Sequence, residues 1–145
     1  MPTPHLQLVE NAIVQHLRDA LPDVRVLPFP EDLSQLGSPV SGRQLFVGFK
    51  QVRFQPGQSL NFDAPIIQQG EIDYELLLCT KDLRTHTTTY PIVEAIDRAL
   101  TGFMPMGRAG KWLTQRSGGF TALDQGVWGY VSVYSLPYTK KTLRR

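Results

Sequence analysis

The stretch Gly70-Glu-Ile-Asp-Tyr-Glu-Leu-Leu-Leu-Cys-Thr80 decides the fold of this 145-residue chain. Apolar and acidic side chains alternate along it, which predicts a β-strand because successive side chains of a strand point to opposite faces. We predict this strand over Ile66–Thr80. Its core face would carry Ile72, Tyr74, Leu76 and Leu78, and its solvent face Gln69, Glu71, Asp73 and Glu75. A sheet with one dry and one wet face favours antiparallel over doubly buried parallel pairing.

Two helical patterns and four further strands complete the chain. Apolar spacings of three and four residues predict a first helix from Leu6 to Leu21 and a second that begins at Thr88 or Thr89. The apolar stripe of the second helix extends to Phe103, and Gly102 stands where the glycine after a helix belongs. The other strands are predicted at Val24–Leu27, at Leu45–Phe54, from Lys111–Thr114 toward Phe120, and at Val127–Leu136. The order α-β-β-β-α-β-β predicts an α+β two-layer sandwich, with a mostly antiparallel sheet of about five strands and two helices on one face.

Charge is distributed unevenly along a chain whose length suits a single domain. The 15 Lys and Arg residues exceed the 13 Asp and Glu residues by only two, which excludes a generally basic nucleic-acid binder and an acidic disordered protein. The last seven residues hold Lys140, Lys141, Arg144 and Arg145 and no acid. Without them the chain has 11 basic and 13 acidic residues, a net charge of −2. We therefore predict a mildly acidic domain over 1–138 and a basic tail over 139–145.

Several functional classes find no support. The single cysteine, Cys79, cannot form an intramolecular disulfide and ends an apolar run, which favours a buried small side chain. That run of four residues, Leu76–Cys79, is the longest in the chain, far below the roughly 20 residues of a membrane helix. The first residues show no signal-peptide pattern. We expect a soluble protein of a reducing cytoplasm, with no membrane partner.

The usual catalytic and metal-binding patterns are also missing. His5, His16 and His86 have no Cys, Asp or Glu at metal-ligand spacing, and His16 is expected to be a surface or half-buried helix residue. Around Gly107–Lys111 the glycine spacing of a phosphate-binding loop fails, and no Gly-x-Ser-x-Gly occurs. We predict no catalytic residue, no cofactor and no metal site, and hence not an enzyme.

Glu71, Asp73 and Glu75 form the most distinctive polar group. Alternate residues of a strand lie about 7 Å apart, so the three carboxylates would line up on one solvent face. This arrangement is compatible with a solvated sheet face or with a face turned toward a partner or a channel. Catalysis is the least supported alternative, because no His or Asn joins the carboxylates.

The basic tail leaves three alternatives open. Lys140, Lys141, Arg144 and Arg145 could keep a disordered end soluble. They could instead form an arm that orders against the acidic face of a neighbouring subunit. Nucleic-acid contact is the third alternative, since each lysine or arginine that meets a phosphate releases a counterion.

Two connections of more than ten residues, 31–43 and 55–65, are long for a compact domain of this size. They and the residues before them contain apolar side chains that a monomer would have to expose or fold back. These are Phe29, Leu33, Leu36, Val40, Leu60 and Phe62. The pattern favours an assembly protein whose surfaces are completed by a partner.

Three segments carry a likeness to a known family: Ala12-Ile-Val14 through Pro28-Phe-Pro30, Tyr90 through Val93-Glu-Ala-Ile96 to Phe103, and Gly126-Val-Trp-Gly-Tyr130. They resemble the Mu-like phage tail terminator family. The likeness extends from about Leu8 to Leu136 and rests on packing and turn motifs. It implies an α+β sandwich that assembles as a homohexameric ring at the head-proximal end of a phage tail. There it would stop tube polymerisation and dock onto the neck.

The resemblance also implies partners and a location. The partners would be the tail tube protein and a neck or connector protein. Whether the sheath is also a partner is left open by the resemblance. Genomic DNA would pass through the channel without specific binding. The location would be the tail–neck junction of a virion assembled in the bacterial host cytoplasm.

Other hypotheses for the function are a neck completion protein, a tail tube subunit, or a nucleic-acid-binding module acting through the basic tail. If Glu71, Asp73 and Glu75 lie on the ring contact or the channel, reversing all three charges should impair assembly and leave the fold intact.

Overall fold

The computed structural model describes residues 5–30, 43–56, 65–80, 89–107, 110–122 and 128–142. Helix α1 is followed by three strands, helix α2 and two strands, so the predicted element order is confirmed. The bounds are α1 His5–Ala20, β1 Arg25–Pro28, β2 Gln44–Phe54, β3 Ile66–Thr80, α2 Thr89–Leu100, β4 Thr114–Ala122 and β5 Trp128–Thr142.

The strands form one five-stranded sheet in the order β1-β2-β3-β5-β4. Strand β1 pairs parallel to β2, and every other neighbouring pair is antiparallel. The central strand β3 pairs with β5 along its whole length, from Ile66 opposite Thr142 to Thr80 opposite Trp128. The predicted α+β class with a mostly antiparallel sheet is therefore confirmed.

Both helices pack on one face of the sheet and form the main core with it. Ile72, Tyr74, Leu76 and Leu78 of β3 are at most 1% exposed, as their alternation predicts. The helices contribute Val9, Ile13, Val14, Leu17, Ile96 and Leu100. The removal of this apolar surface from water is the main force that holds helices and sheet together.

The opposite face of the sheet, called the far face below, is only partly wet. Phe46, Leu77 and Cys79 are 4 to 6% exposed there, and half-buried Leu27, Phe29 and Val131 pack against them. The prediction of a single dry face is therefore wrong at this end of the sheet, although the prediction of a buried Cys79 is confirmed. The run Leu76–Cys79 alternates between two apolar clusters, because consecutive strand residues face opposite ways.

Helix α2 ends at a glycine turn that also fixes α1. Gly102 has φ +85°, a conformation that a residue without a Cβ adopts at low cost, as its position after the helix predicts. The imidazole of His16 stacks on Phe103 at a centroid distance of 3.9 Å, and its Nε2 lies 2.8 Å from the carbonyl oxygen of Ala99. His16 is half-buried, as predicted, and it ties α1 to the exit of α2.

The last strand is longer than predicted. Strand β5 continues past Leu136 to Thr142, and Thr139–Thr142 pair with residues of β3. The predicted end at Leu136 is wrong because the pairing partner Ile66–Gly70 extends equally far, and the ladder continues as long as both strands do. The first four residues of the predicted tail therefore belong to the sheet.

Candidate assembly surfaces

A charged network on the far face is centred on Asp73, which is only 2% exposed. Arg53 donates to it twice, from Nε to Oδ2 at 2.7 Å and from Nη2 to Oδ1 at 2.9 Å. Gln51 Nε2 donates to Oδ2 at 2.9 Å, and Ser135 Oγ donates to Oδ1 at 2.5 Å. A carboxylate offers about four acceptor positions, so the hydrogen-bonding capacity of Asp73 is filled.

A β-bulge at Lys50 places Gln51 and Arg53 beside Asp73. Before the bulge the odd-numbered residues of β2, such as Leu45 and Val47, face the helices. The register shifts between Phe49 and Gln51, so the odd-numbered residues after it face the far side. The extra residue of a bulge reverses the alternation of a strand in this way.

Glu71 extends the network toward the edge of the sheet. Its Oε2 accepts a hydrogen bond from Arg53 Nη2 at 2.6 Å and another from Arg116 Nη2 of β4. The side chains of Arg53 and Arg116 are 42% and 47% exposed, so these outer ion pairs are screened by water. The network thus extends across β4, β5, β3 and β2 on one face.

This arrangement changes the meaning of the three predicted carboxylates. Glu71, Asp73 and Glu75 share a face, as predicted, but Asp73 is buried, so the prediction that all three lie in solvent is wrong. The charges of Glu71 and Asp73 are balanced by Arg53 and Arg116. Reversal of all three charges would therefore disrupt the fold, because it would place a cation beside Arg53 in a buried position.

The network lowers the pKa of two of its carboxyl groups. Hydrogen bonds from Arg53 hold the pKa of Asp73 well below its usual range, against the opposing effect of burial. Hydrogen bonds from Arg116 and then Arg53 lower the pKa of Glu71. Both groups stay ionised in the folded protein under conditions that would protonate them in the unfolded chain.

The stabilisation by Asp73 should disappear in acid. A depressed carboxyl pKa contributes stability that is fully present above the unfolded value of about 3.9 and is lost as the pH falls toward the folded value. The difference in unfolding free energy between the wild type and Asp73→Asn should be constant from about pH 5 to 8 and shrink below about pH 4. Urea unfolding at each pH measures it, with Glu75→Gln as control. A difference that stays constant to about pH 2 would contradict this linkage.

Glu75 lies apart from the network, in a groove at the end of β1. The groove is lined by Glu10, Pro28, Phe29, Gly48, Phe49 and Glu75, and is called the acidic groove below. Glu10, on α1, accepts a hydrogen bond from the backbone of Phe49, and burial raises the pKa of Glu10. Phe49 is 44% exposed. The groove therefore combines two carboxylates with aromatic rings.

The paired ends of β3 and β5 form a second charged surface. Ile66–Gln69 and Thr139–Thr142 pair with each other beyond the ends of the β2 and β4 ladders, and are called the basic ribbon below. At its base the backbone N–H of Gln55 also donates to the carbonyl oxygen of Gln69 at 2.8 Å. Lys140 and Lys141 of this ribbon are exposed, and Lys140 Nζ lies 5.8 Å from the ring centroid of Phe54. Arg144 and Arg145 lie outside the described residues.

Large apolar side chains are exposed on the edge formed by α2 and β4. Tyr90 and Phe120 are each 41% exposed. The ring centroid of Phe120 lies 5.7 Å from that of Tyr90 and 5.0 Å from that of Tyr130.

The apolar residues predicted to be covered by a partner lie mostly elsewhere in the chain. Of these, Phe29 is half-buried and packs with Phe46. Leu33, Leu36, Val40, Leu60 and Phe62 lie outside the described residues.

The described ranges hold no group of three or more His, Cys, Asp or Glu residues that could bind a metal ion. His86 lies outside these ranges, as do Arg108 and Ala109 of the glycine-containing loop. Within the same ranges no helix is long and apolar enough to cross a membrane.

The sequence reasoning missed Arg53, Arg116 and Glu10. Arg53 and Arg116 stand at or beyond bulges, where strand alternation gives the wrong face. Glu10 reaches the groove through the packing of α1 against β2, which no local pattern encodes. The one available signal was the presence of Arg53 and Arg116 on two of the other predicted strands, because opposite charges are favoured where strands pair.

The fold and these surfaces define a small α+β sheet domain that presents an acidic groove and a basic ribbon on different parts of one chain. The chain belongs to the Gp37 protein family, whose profile matches residues 13–140.

Solved structures give a further likeness. The chain is similar to the sheath/tube terminator of the extracellular contractile injection system PVC in its extended state, with a TM-score of 0.53 and 11% sequence identity. The match covers 100% of this chain and 61% of the terminator chain. The resemblance to a tail terminator noted in the sequence is thus confirmed at the level of the fold. No curated protein matches the chain.

Proposed function

We propose that this protein is a structural tail terminator, which caps the end of a tail tube, stops its polymerisation and joins the tube to a neck or connector protein. The observation that carries this proposal is the likeness of the whole chain to a sheath/tube terminator. It acts by binding other proteins and catalyses no reaction.

The proposed assembly is a homohexameric ring at the tail–neck junction of a virion or a related injection machine. Its partners are the tube protein, the neck protein and the sheath. The sheath is included because the similar structure terminates both a sheath and a tube. Genomic DNA would pass through the ring without specific binding.

The edges of the sheet support a discrete ring over an endless polymer. Beyond Val47, no described strand pairs with the outer edge of β2. No described strand pairs with the outer edge of β4, whose inner edge pairs with β5. Each of these edges contains a bulge, with Lys50 or Arg116 at the shifted position. Bulges and charges interrupt strand-by-strand addition at sheet edges. This favours a terminator over a tube subunit, which must polymerise without limit.

Electron microscopy of the purified protein, alone and mixed with its tail tube, tests the proposal. We expect rings of uniform size, and tubes that carry one ring at an end and stop growing when more tube subunits are added. Tubes without the protein provide the control, since they should continue to lengthen. Long cylinders of the protein alone would indicate a tube subunit, and particles that ignore the tube would contradict the proposal.

A further inference from the structure

We infer that the basic ribbon of one copy docks in the acidic groove of the next copy and forms the subunit contact of the ring. This inference rests on the proposed ring assembly. It assigns Glu10 and Glu75 on one side, and Lys140 and Lys141 on the other, to a single head-to-tail contact.

The acidic groove has the chemistry to receive lysine side chains. Neither Glu10 nor Glu75 forms an ion pair with a described residue. Glu10 is half-buried, and a carboxylate withdrawn from water without a counterion gains from an approaching cation. Phe29 and the exposed ring of Phe49 line the same groove, and aromatic faces attract ammonium groups.

The basic ribbon has the complementary chemistry. Its eight residues contain two lysines and no acid. Lys140 and Lys141 are adjacent strand residues, so they point to opposite faces and allow the ribbon to present cations on both sides. Ile67, opposite Lys141, is 41% exposed and adds an apolar surface for an aromatic groove.

The two surfaces of one chain cannot meet each other. Glu75 pairs with Val133 of β5, seven residues before Lys140. At about 3.3 Å per residue this separation is about 23 Å along the strand, well beyond a lysine side chain. Because the ladder holds both ends in place, Lys140 and Lys141 can reach an acidic groove only in another copy of the chain. A contact between two different surfaces is head-to-tail, the kind that builds a closed ring.

Charge-reversed variants test this contact by mixing. Glu10→Lys/Glu75→Lys makes the groove basic, and Lys140→Glu/Lys141→Glu makes the ribbon acidic. Each variant by itself opposes like charges across the contact. The fraction of protein in rings should therefore fall by at least about tenfold, both in solution and on tube ends. In an equimolar mixture every groove finds an oppositely charged ribbon when the two variants alternate. The mixture should therefore recover rings that contain both variants in equal numbers, as native mass spectrometry measures.

The control is Asp19→Lys/Glu94→Lys, which reverses two exposed acids of α1 and α2 and should leave rings unchanged. Recovery in the mixture also shows that both variants fold. If the wild type forms rings and the mixture recovers none, the contact is wrong and the terminator proposal stands. If the wild type forms no ring even on tube ends, the proposed function is wrong and the contact with it. Rings retained by the ribbon variant, with loss only of salt-sensitive DNA binding, would contradict the contact in favour of a nucleic-acid surface.

Discussion

Asp73→Ala should lower the free energy of unfolding by about 3 kcal/mol, the lower end of the cost of breaking a buried ion pair. The lower end applies because the guanidinium of Arg53 is partly exposed and can recover hydration when its partner is removed. Ser135, which is 1% exposed, cannot recover its lost hydrogen bond from water as easily. The network spans β2, β3, β4 and β5, so its loss loosens the whole far face.

Urea and thermal unfolding measure this effect. For a domain of this size about 3 kcal/mol corresponds to a fall in Tm of roughly 6 to 12 °C. Glu75→Ala is the matched control, since Glu75 lies two residues along the same face without a described ion pair, and it should change stability by less than about 0.5 kcal/mol. Equal effects of the two substitutions would show that Asp73 stabilises nothing beyond an ordinary surface acid.

Leu76→Ala and Leu77→Ala should both destabilise the domain, by about 3 and about 2 kcal/mol respectively, because each leaves a cavity in a packed cluster. Leu76 is 0% exposed beneath the helices, and Leu77 is 6% exposed in the far-face cluster with Phe46 and Cys79. A sheet with only one dry face would predict a large effect for Leu76 and almost none for Leu77.

Ile67→Ala is the control for this pair, because Ile67 is an aliphatic residue on the same strand and is 41% exposed. It should change the unfolding free energy by less than about 0.5 kcal/mol. If Leu77→Ala is as mild as Ile67→Ala, the far-face cluster does not contribute to stability and the sheet has a single core.

Much of the fold was predictable because it depends on local periodicity. The 3.6-residue spacing of Val9, Ile13 and Leu17 predicts α1, and the alternation of Ile72, Tyr74 and Leu76 predicts the core face of β3, and the structure confirms both. The exit glycine Gly102 was equally readable, since its positive φ follows from its place after the last helical turn. These signals are carried by a few neighbouring residues and need no knowledge of the partners.

The candidate surfaces were predicted only in part. The sequence brought Glu71, Asp73 and Glu75 to one face, because alternation alone determines that. It separated Lys140 and Lys141 from the domain as a tail, although they lie in β5, because a strand rich in Lys and Thr has no apolar face to reveal it. The position of Glu10 in the acidic groove could not be predicted either, since α1 reaches β2 only through tertiary packing.

By itself, the sequence determined the order of helices and strands, the core face of β3, the α+β class and the uneven distribution of charge. Only the tertiary structure decided which of the charged side chains form ion pairs within the domain. The bulge at Lys50 reverses the alternation of β2 and brings Arg53 onto Asp73, so a residue that looked like part of an acidic surface is a buried, neutralised element of the sheet. Strand register is a property of two chain segments, and a one-residue shift in either of them changes which side chains meet.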